Sequence, residues 1–270
     1  MSIPIPLAKI KLGNVVPGAL PLEGDDKGAN ETFIGLVQLS TGQVRAYIKV
    51  LYGRQLINEL ISVTVGRAAG LPIPEGFLLK TTASDLPESK LLSKHSGEAF
   101  IFGSADVGFP SLRRRFVKPE PQIFAELLSK WKGWVNAAIF DEWIANPDRH
   151  SGNLLLESFE QVWLIDHSYA LTGPFWDESD LAPDRTVENQ LADAGFPRLS
   201  LSERLSVRNK ANELTKIFSL IETDTAMQSC YINALLSPSE YKAVEKFMNQ
   251  RVTYLLKLIC TKLGMPMLGV

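Results

Sequence analysis

The chain has 270 residues, 45% of them hydrophobic and 21% charged, with a formal net charge of -2; this composition supports a packed core and excludes disorder as the default state. So even a charge offers no concentrated basic face to a nucleic-acid backbone or an anionic membrane surface, and direct nucleic-acid binding is not expected. No apolar run approaches the ~20 residues of a transmembrane segment, and Met1 to Lys11 lacks a basic stretch leading into an apolar one, so the expected setting is cytoplasmic.

Residues 1–31 are rich in proline and glycine, and Leu22 to Glu31 reads as an exposed loop between a short early strand and a clearer one. The position fits a loop that covers phosphate. Gly24 and Gly28 would let backbone N–H groups approach phosphate oxygens, whereas Asp25 and Asp26 would repel them, and a solvated turn is the alternative. Next, Phe33–Leu39 and Val44–Leu51 read as strands around Ser40-Thr41-Gly42-Gln43, a β-hairpin connection. Lys49 lies in the second strand between Ile48 and Val50; taken alone, it would point to solvent. Residues 54–69 carry Leu56, Ile57, Leu60, Ile61 and Val65 at helical spacing, ended by Gly70 and Pro72. Glu59 falls in the first half of that helix. A strand lysine followed by a helix glutamate can hold nucleotide phosphates, the carboxylate fixing the ammonium by a charge-assisted hydrogen bond, although a glutamate on a solvated helix face is also common.

Gly76–Lys80 then reads as a strand, 83–97 as a polar connection and Ala99–Phe102 as a further strand, with Gly103-Ser104 permitting a sharp change of direction. The one basic cluster, Arg113-Arg114-Arg115, reads as solvated surface, with pairing to an acidic or phosphorylated partner as the alternative. From Pro121, the residues Phe124, Leu127, Trp131, Trp134, Phe140 and Trp143 are spaced as an apolar helical face, which belongs to a core. Leu171 to Asp184 is irregular and suited to a loop over a site, and from Ser200 helical segments dominate, notably Lys210–Ile221 and Ser239–Lys262. Cys230 and Cys260 lack metal-ligand spacing and read as buried thiols in a reducing compartment, with no disulfide. No repeat, low-complexity tract or linker divides the chain.

The densest chemistry lies in Asn146-Pro147-Asp148-Arg149-His150-Ser151-Gly152-Asn153 and in Leu164-Ile165-Asp166-His167. A helical pattern stops at Pro147, a polar loop carries Asp148, His150 and Asn153, and two apolar runs deliver Asp166. Phosphoryl transfer needs oxygen ligands for a metal ion on the phosphates, a cation against developing charge, and an aligned nucleophile. Asn153 and Asp166 supply oxygens that suit Mg2+. Asp148 is placed to orient a hydroxyl and take its proton, and His150 to bind a phosphate oxygen or brace the loop. Each has a structural role available in a turn or at a strand end, but the full order of Lys49, Glu59, Asp148, His150, Asn153 and Asp166 favours phosphotransfer. A zinc site would want a cysteine or a third clustered histidine, which the loop lacks.

Asn146 to Asn153 with Leu164 to His167 resembles the catalytic loops of the HipA-like kinases and, more distantly, of the phosphatidylinositol kinases. The resemblance extends to Tyr47-Ile48-Lys49, Asn58-Glu59-Leu60 and Gly70 to Pro74, covering about residues 28–170. It implies an α+β, bilobal protein-kinase-like fold: a single kinase-like domain, 1–270, with a small β-rich N-lobe over 1–104 and a larger, mainly helical C-lobe over 105–270. It also implies ATP and Mg2+ as cofactors. By motif position, Lys49 would hold phosphate, Glu59 would brace it, Asp148 would be the base, and Asn153 and Asp166 would bind metal. Gly28 would lie in the phosphate-covering loop, and backbone groups around Phe102 and Gly103 would read the adenine edge at an interlobe hinge. His167 stands where many kinases have a phenylalanine after the metal-binding acid.

The implied activity is a serine/threonine protein kinase acting on an unidentified protein substrate. The best-known HipA-like members act as bacterial toxins, which implies an antitoxin or other regulatory partner. A phosphatidylinositol-type lipid kinase is a second reading, motivated by Asp148-Arg149-His150, although no strong basic amphipathic helix is evident. A nucleotide-binding pseudokinase or scaffold that regulates a partner is the third.

Overall fold

The computed structural model describes residues 5–22, 30–116 and 120–266. Among these, the N-terminal part is strand-rich and the C-terminal part helical. Strands β1 (Lys11–Val15), β2 (Leu20–Pro21), β3 (Thr32–Leu39), β4 (Gly42–Lys49), β5 (Gly76–Thr81) and β6 (Ala99–Ala105) form one sheet in the order β1-β5-β6-β4-β3-β2. β1 also pairs with β3, so it lies parallel to β5 on one side and antiparallel to β3 on the other. The sheet therefore curls until five of its strands close on one another. Gly13 permits the closure, because a Cβ there would sit 2.7 Å from Leu39 Cδ2 and 2.8 Å from the Gln38 carbonyl oxygen.

Period-two alternation divides the strand residues between two environments. Val37, Ile48, Phe77, Leu79 and Ile101 pack together inside the curl. Leu78 and Phe102 face the other way and join a second core that runs through α1 (Arg54–Ala68) into the helical part. Helix α1 is buried along its whole middle, Leu56 to Gly66, because it is covered on both sides.

The C-terminal part contains α2 (Leu112–Arg115), α3 (Glu120–Lys130), α4 (Trp134–Trp143), a hairpin of β7 (Leu154–Leu156) and β8 (Val162–Leu164), α5 (Gln190–Gly195), α6 (Leu201–Phe218), α7 (Thr223–Ser229) and α8 (Pro238–Lys262). Ser200 with Glu203 and Ser237 with Glu240 form capping boxes that fix the starts of α6 and α8. Helix α4 is the central element. Trp143 stacks on Phe218 of α6 with ring centroids 4.4 Å apart and donates its indole N–H to the Met248 carbonyl of α8 at 3.2 Å.

Two expectations are corrected here. The single apolar face from Pro121 to Trp143 is carried by two helices, broken at Trp131–Gly133, where the Trp131 indole occupies space 2.6 Å from where a Cβ of residue 133 would lie. The strand that starts at Ala99 continues through Gly103 and Ser104 to Ala105, paired with β4 on one side and β5 on the other. The change of direction falls later, at Asp106–Pro110, where Gly108 takes φ 80° and its N–H binds Asp106 Oδ1 at 2.8 Å. Cys230 and Cys260 are buried free thiols, and burial pushes the Cys230 thiol up to about 12. No helix among the described residues is long and apolar enough to cross a membrane.

Candidate active site

In β4, Ile48 turns into the curl, so Lys49 turns outward toward α1. Instead of solvent it meets two carboxylates: Nζ lies 3.0 Å from Glu59 Oε1 and 3.0 Å from Asp166 Oδ2. The Lys49 side chain is only 11% exposed and that of Glu59 1%, whereas Asp166 is 27% exposed. Burial opposes each of these charges, but the pairing wins in all three: Lys49 is held above its ordinary range by Asp166 and Glu59, and Glu59 and Asp166 are held below theirs by Lys49. Asp166 adopts φ 57°, and its other oxygen, Oδ1, accepts from Ser168 Oγ at 2.8 Å.

His167 packs behind this group. Burial, then the Arg149 guanidinium, keep its imidazole below its usual range, and Nδ1 lies 3.3 Å from Glu59 Oε2. A neutral ring with its proton on Nδ1 donates to Glu59 and leaves Nε2 buried with no hydrogen-bond partner among the described residues. His167 thus braces Glu59 from the side opposite Lys49.

The loop after α4 is built on one buried ion pair. Arg149 is fully buried, its Nε and Nη2 donating to Asp141 Oδ2 and Oδ1 at 3.0 and 2.8 Å. Its Nη1 donates to the carbonyls of Asn153 and Ile165. One guanidinium therefore ties the end of α4, the loop and the residue before Asp166 together. Asn146 assists: its amide donates to Asp141 Oδ1 at 3.0 Å and its Oδ1 accepts from the Asp148 N–H at 3.2 Å. Local pairing does the rest. In the β7–β8 hairpin Leu154 opposes Leu164, and the Ile165 N–H binds the Asn153 carbonyl at 3.1 Å, so Asn153 and Asp166 emerge side by side at its base.

Asn153 Nδ2 donates to the Asp148 carbonyl oxygen at 2.6 Å, leaving its Oδ1 as the ligand-capable atom. The Asp148 carboxyl is one-third exposed, and burial, helped by the nearby Asp166 and opposed by His150, pushes it above its ordinary value. His150 Nδ1 accepts from the Gly152 N–H at 2.9 Å, which places the proton of the neutral ring on Nε2, 3.9 Å from Asp148 Oδ2.

Lys49, Glu59, Phe102, Asp148, His150, Asn153 and Asp166 all line one cavity of about 470 Å³ between the strand-rich and helical parts. Its apolar walls include Val63, Ile73, Phe102, Leu155 and Leu164. Phe102, Ser104 and Ala105 line the cavity, and Gly103 is not among the lining residues. It pairs with Ile48 and Phe77, its backbone is part of two ladders, and a Cβ on it would lie 2.5 Å from Leu79 Cδ1. Gly103 is small to admit Leu79. Gly28 falls outside the described residues.

A family model described as HipA-like kinase matches residues 47–184, just over half of the 270. The chain belongs to the HipA-like kinase family. Among solved structures, the chain is similar to the Helicobacter pylori proinflammatory kinase CtkA, with a TM-score of 0.59 and 13% sequence identity over 95% of this chain and 99% of that one. That likeness concerns the fold. No curated protein matches the sequence.

Several residues of this HipA-like kinase site escape a reading of local spacing. Asn58, fully buried beside Glu59, donates to the carbonyls of Ser168 (2.8 Å) and Gly173 (3.0 Å) and accepts from Trp176 Nε1 (2.8 Å). It thereby locks α1 to the segment after Asp166. The signal in sequence was a polar residue inside an apolar helical stretch. Arg113 and Arg114, read as solvated surface, are exposed but line the cavity beside His150, and Arg115 instead donates to the Leu156 carbonyl at 3.1 Å.

Proposed function

We propose that the protein is an ATP- and Mg2+-dependent kinase that transfers the γ-phosphoryl group to a serine or threonine hydroxyl of a protein, working as a two-lobed protein-kinase-like unit with an N-lobe over 1–104 and a C-lobe over 105–270. The observation that carries this reading is the convergence on one cavity of Lys49, bound to both Glu59 and Asp166, with Asp148 and Asn153. ATP fits the cavity's character: apolar walls at Ile73, Phe102 and Leu164 suit a purine, and Lys49 suits phosphate oxygens.

The donor set also fits magnesium. Among the described residues no group of three or more His, Cys, Asp or Glu could hold a metal alone. Asp166 and Asn153 offer one carboxylate and one amide oxygen, the sparse hard-oxygen set that Mg2+ completes with water and phosphate. When bound there, the ion would neutralise charge on the phosphates. Lys49, held charged by its two partners, binds phosphate oxygens. Asp148 accepts a hydrogen bond from the acceptor hydroxyl and orients it in line. The acceptor oxygen then bonds to the γ-phosphorus, the bond from that phosphorus to the β–γ bridging oxygen breaks, the proton passes to Asp148, and ADP leaves.

Incubation with radiolabelled ATP, Mg2+ and a cell extract tests the proposal. Wild type should label a protein hydroxyl, and Asp148→Ala should reduce labelling by about 10²–10⁴-fold, the range for loss of a general base. Equal labelling by Asp148→Ala would remove Asp148 as the base. Asp166→Ala should abolish the Mg2+ dependence of nucleotide binding.

A further inference from the structure

The cations of the cavity are not equivalent. Lys49 is neutralised by Glu59 and Asp166, whereas Arg113 and Arg114 line the cavity as exposed residues. Arg113 is exposed and, among the described residues, forms no ion pair with a carboxylate; its Nη2 lies 3.3 Å from His150 Nδ1. Its guanidinium carbon lies 3.6 Å from where a Cβ of Gly152 would be, so the group rests directly over the loop that carries Asp148 and Asn153.

This position is fixed by the fold. The chain leaves the connection at 106–110 and bridges to β7 through Ser111 opposite Leu155 and through the Leu156 N–H on the Pro110 carbonyl at 3.0 Å. Arg115 returns to the Leu156 carbonyl. The short α2 is thus fastened to β7 on both sides of Arg113. A positive group held against an imidazole, without a carboxylate, at the mouth of a cavity calls for an anion from outside. Asp148 approaches His150 from the Nε2 side and Arg113 from the Nδ1 side, so the two stand across one ring.

We propose that Arg113, with His150, forms an anion subsite that selects acceptor peptides carrying an acidic side chain near the phosphorylated hydroxyl. This rests on the kinase reading above and adds a substrate class to it. Arg113 lies within about 10 Å of the Asp148 carboxylate across the imidazole, and an extended peptide advances ~3.3 Å per residue, so the acidic residue falls within about three positions of the acceptor. Arg113 touches the substrate and not the reacting atoms. A carboxylate and a phosphorylated side chain share the chemistry the subsite recognises.

The test is a serine and threonine peptide array scanned with radiolabelled ATP and Mg2+, fixing Ala, Glu, phosphoserine or Lys at each position from −4 to +4, with wild type, Arg113→Ala and Arg113→Glu. Wild type should prefer Glu or phosphoserine over Ala by about two- to fivefold in kcat/KM at a position within three of the acceptor, the size of an exposed ion pair. Arg113→Ala should erase that preference, and Arg113→Glu should favour Lys at the same position, with KM for ATP the same as in wild type. Comparing Glu with phosphoserine identifies which anion the subsite takes. Indifference of wild type to acidic residues, an acidic preference that survives Arg113→Glu, or a defect of Arg113→Ala confined to KM for ATP would overturn the subsite while leaving the kinase reading intact. Absence of any labelling and of any ATP turnover by wild type would overturn the kinase reading and this inference with it. The inverted preference in Arg113→Glu separates a binding role from a folding defect.

Discussion

Trp176 donates its indole N–H to Asn58 Oδ1 at 2.8 Å, across a separation of 118 residues. With the two bonds from Asn58 to the Ser168 and Gly173 carbonyls, this fastens the helix that carries Glu59 to the segment that carries Asp166. Arg54 adds a second tie, stacking over the Trp176 ring at 4.1 Å while pairing with Glu240 at the start of α8. The Lys49–Glu59 and Lys49–Asp166 contacts therefore rest on a scaffold outside the cavity. Asn58→Ala should leave the Trp176 N–H and two carbonyls without their partner, and each unmet buried group costs about 1–3 kcal/mol. An overall loss of at least about 3 kcal/mol in urea unfolding is expected, together with weaker Mg2+-dependent nucleotide binding. A variant as stable as wild type would show that water replaces Asn58 at no cost.

The pH dependence of transfer should follow Asp148. In the base role proposed for it, Asp148 acts in its carboxylate form, so activity should rise as pH climbs through its pKa. Burial pushes that pKa above the usual aspartate value of ~3.9, and His150 pulls it back. The acidic limb of kcat/KM, measured at saturating Mg2+, should accordingly have its midpoint above about 4. His150→Gln should move the midpoint further up, because the positive contribution that favours the carboxylate is removed. A downward shift in His150→Gln would contradict this account of the loop.

The Arg149–Asp141 pair should behave as a buried ion pair that positions the loop. Both side chains have no exposed surface. Arg149→Ala or Asp141→Ala strands the remaining charge, and such losses cost about 3–5 kcal/mol. The double variant Arg149→Met, Asp141→Leu removes both charges and should be more stable than either single variant by urea unfolding. It should still transfer phosphate poorly, because the ties from Arg149 to the Asn153 and Ile165 carbonyls go with it. Additive losses in the double variant would show that the two residues act independently.

What the sequence made legible was local, and what it hid was distant. Asp148, Asn153 and Asp166 sit on one loop and one short hairpin, so their spacing already carried their arrangement. Helix α1 was readable from its apolar period, and β3 with β4 from the turn between them. By contrast, β1 pairs with β5 and β3 at once, and no period in the first fifteen residues encodes that closure. His167, Asn58 and Arg113 gained their roles from partners 108, 118 and 37 residues away. The break between α3 and α4 was hidden because Trp131 and Trp134 kept the helical spacing while Gly133 gave way to an indole.

Gly103 gives a direct check on the corrected end of β6. Alanine there would bring a methyl group within 2.5 Å of Leu79 Cδ1, inside the curl of the sheet and away from the cavity. Overpacking of that kind costs about 1–3 kcal/mol. Gly103→Ala should thus lower the urea midpoint with the m value intact, while KM for ATP stays within about twofold of wild type because Gly103 is not among the residues that line the cavity. A variant of normal stability with a large rise in KM for ATP would return Gly103 to the adenine edge.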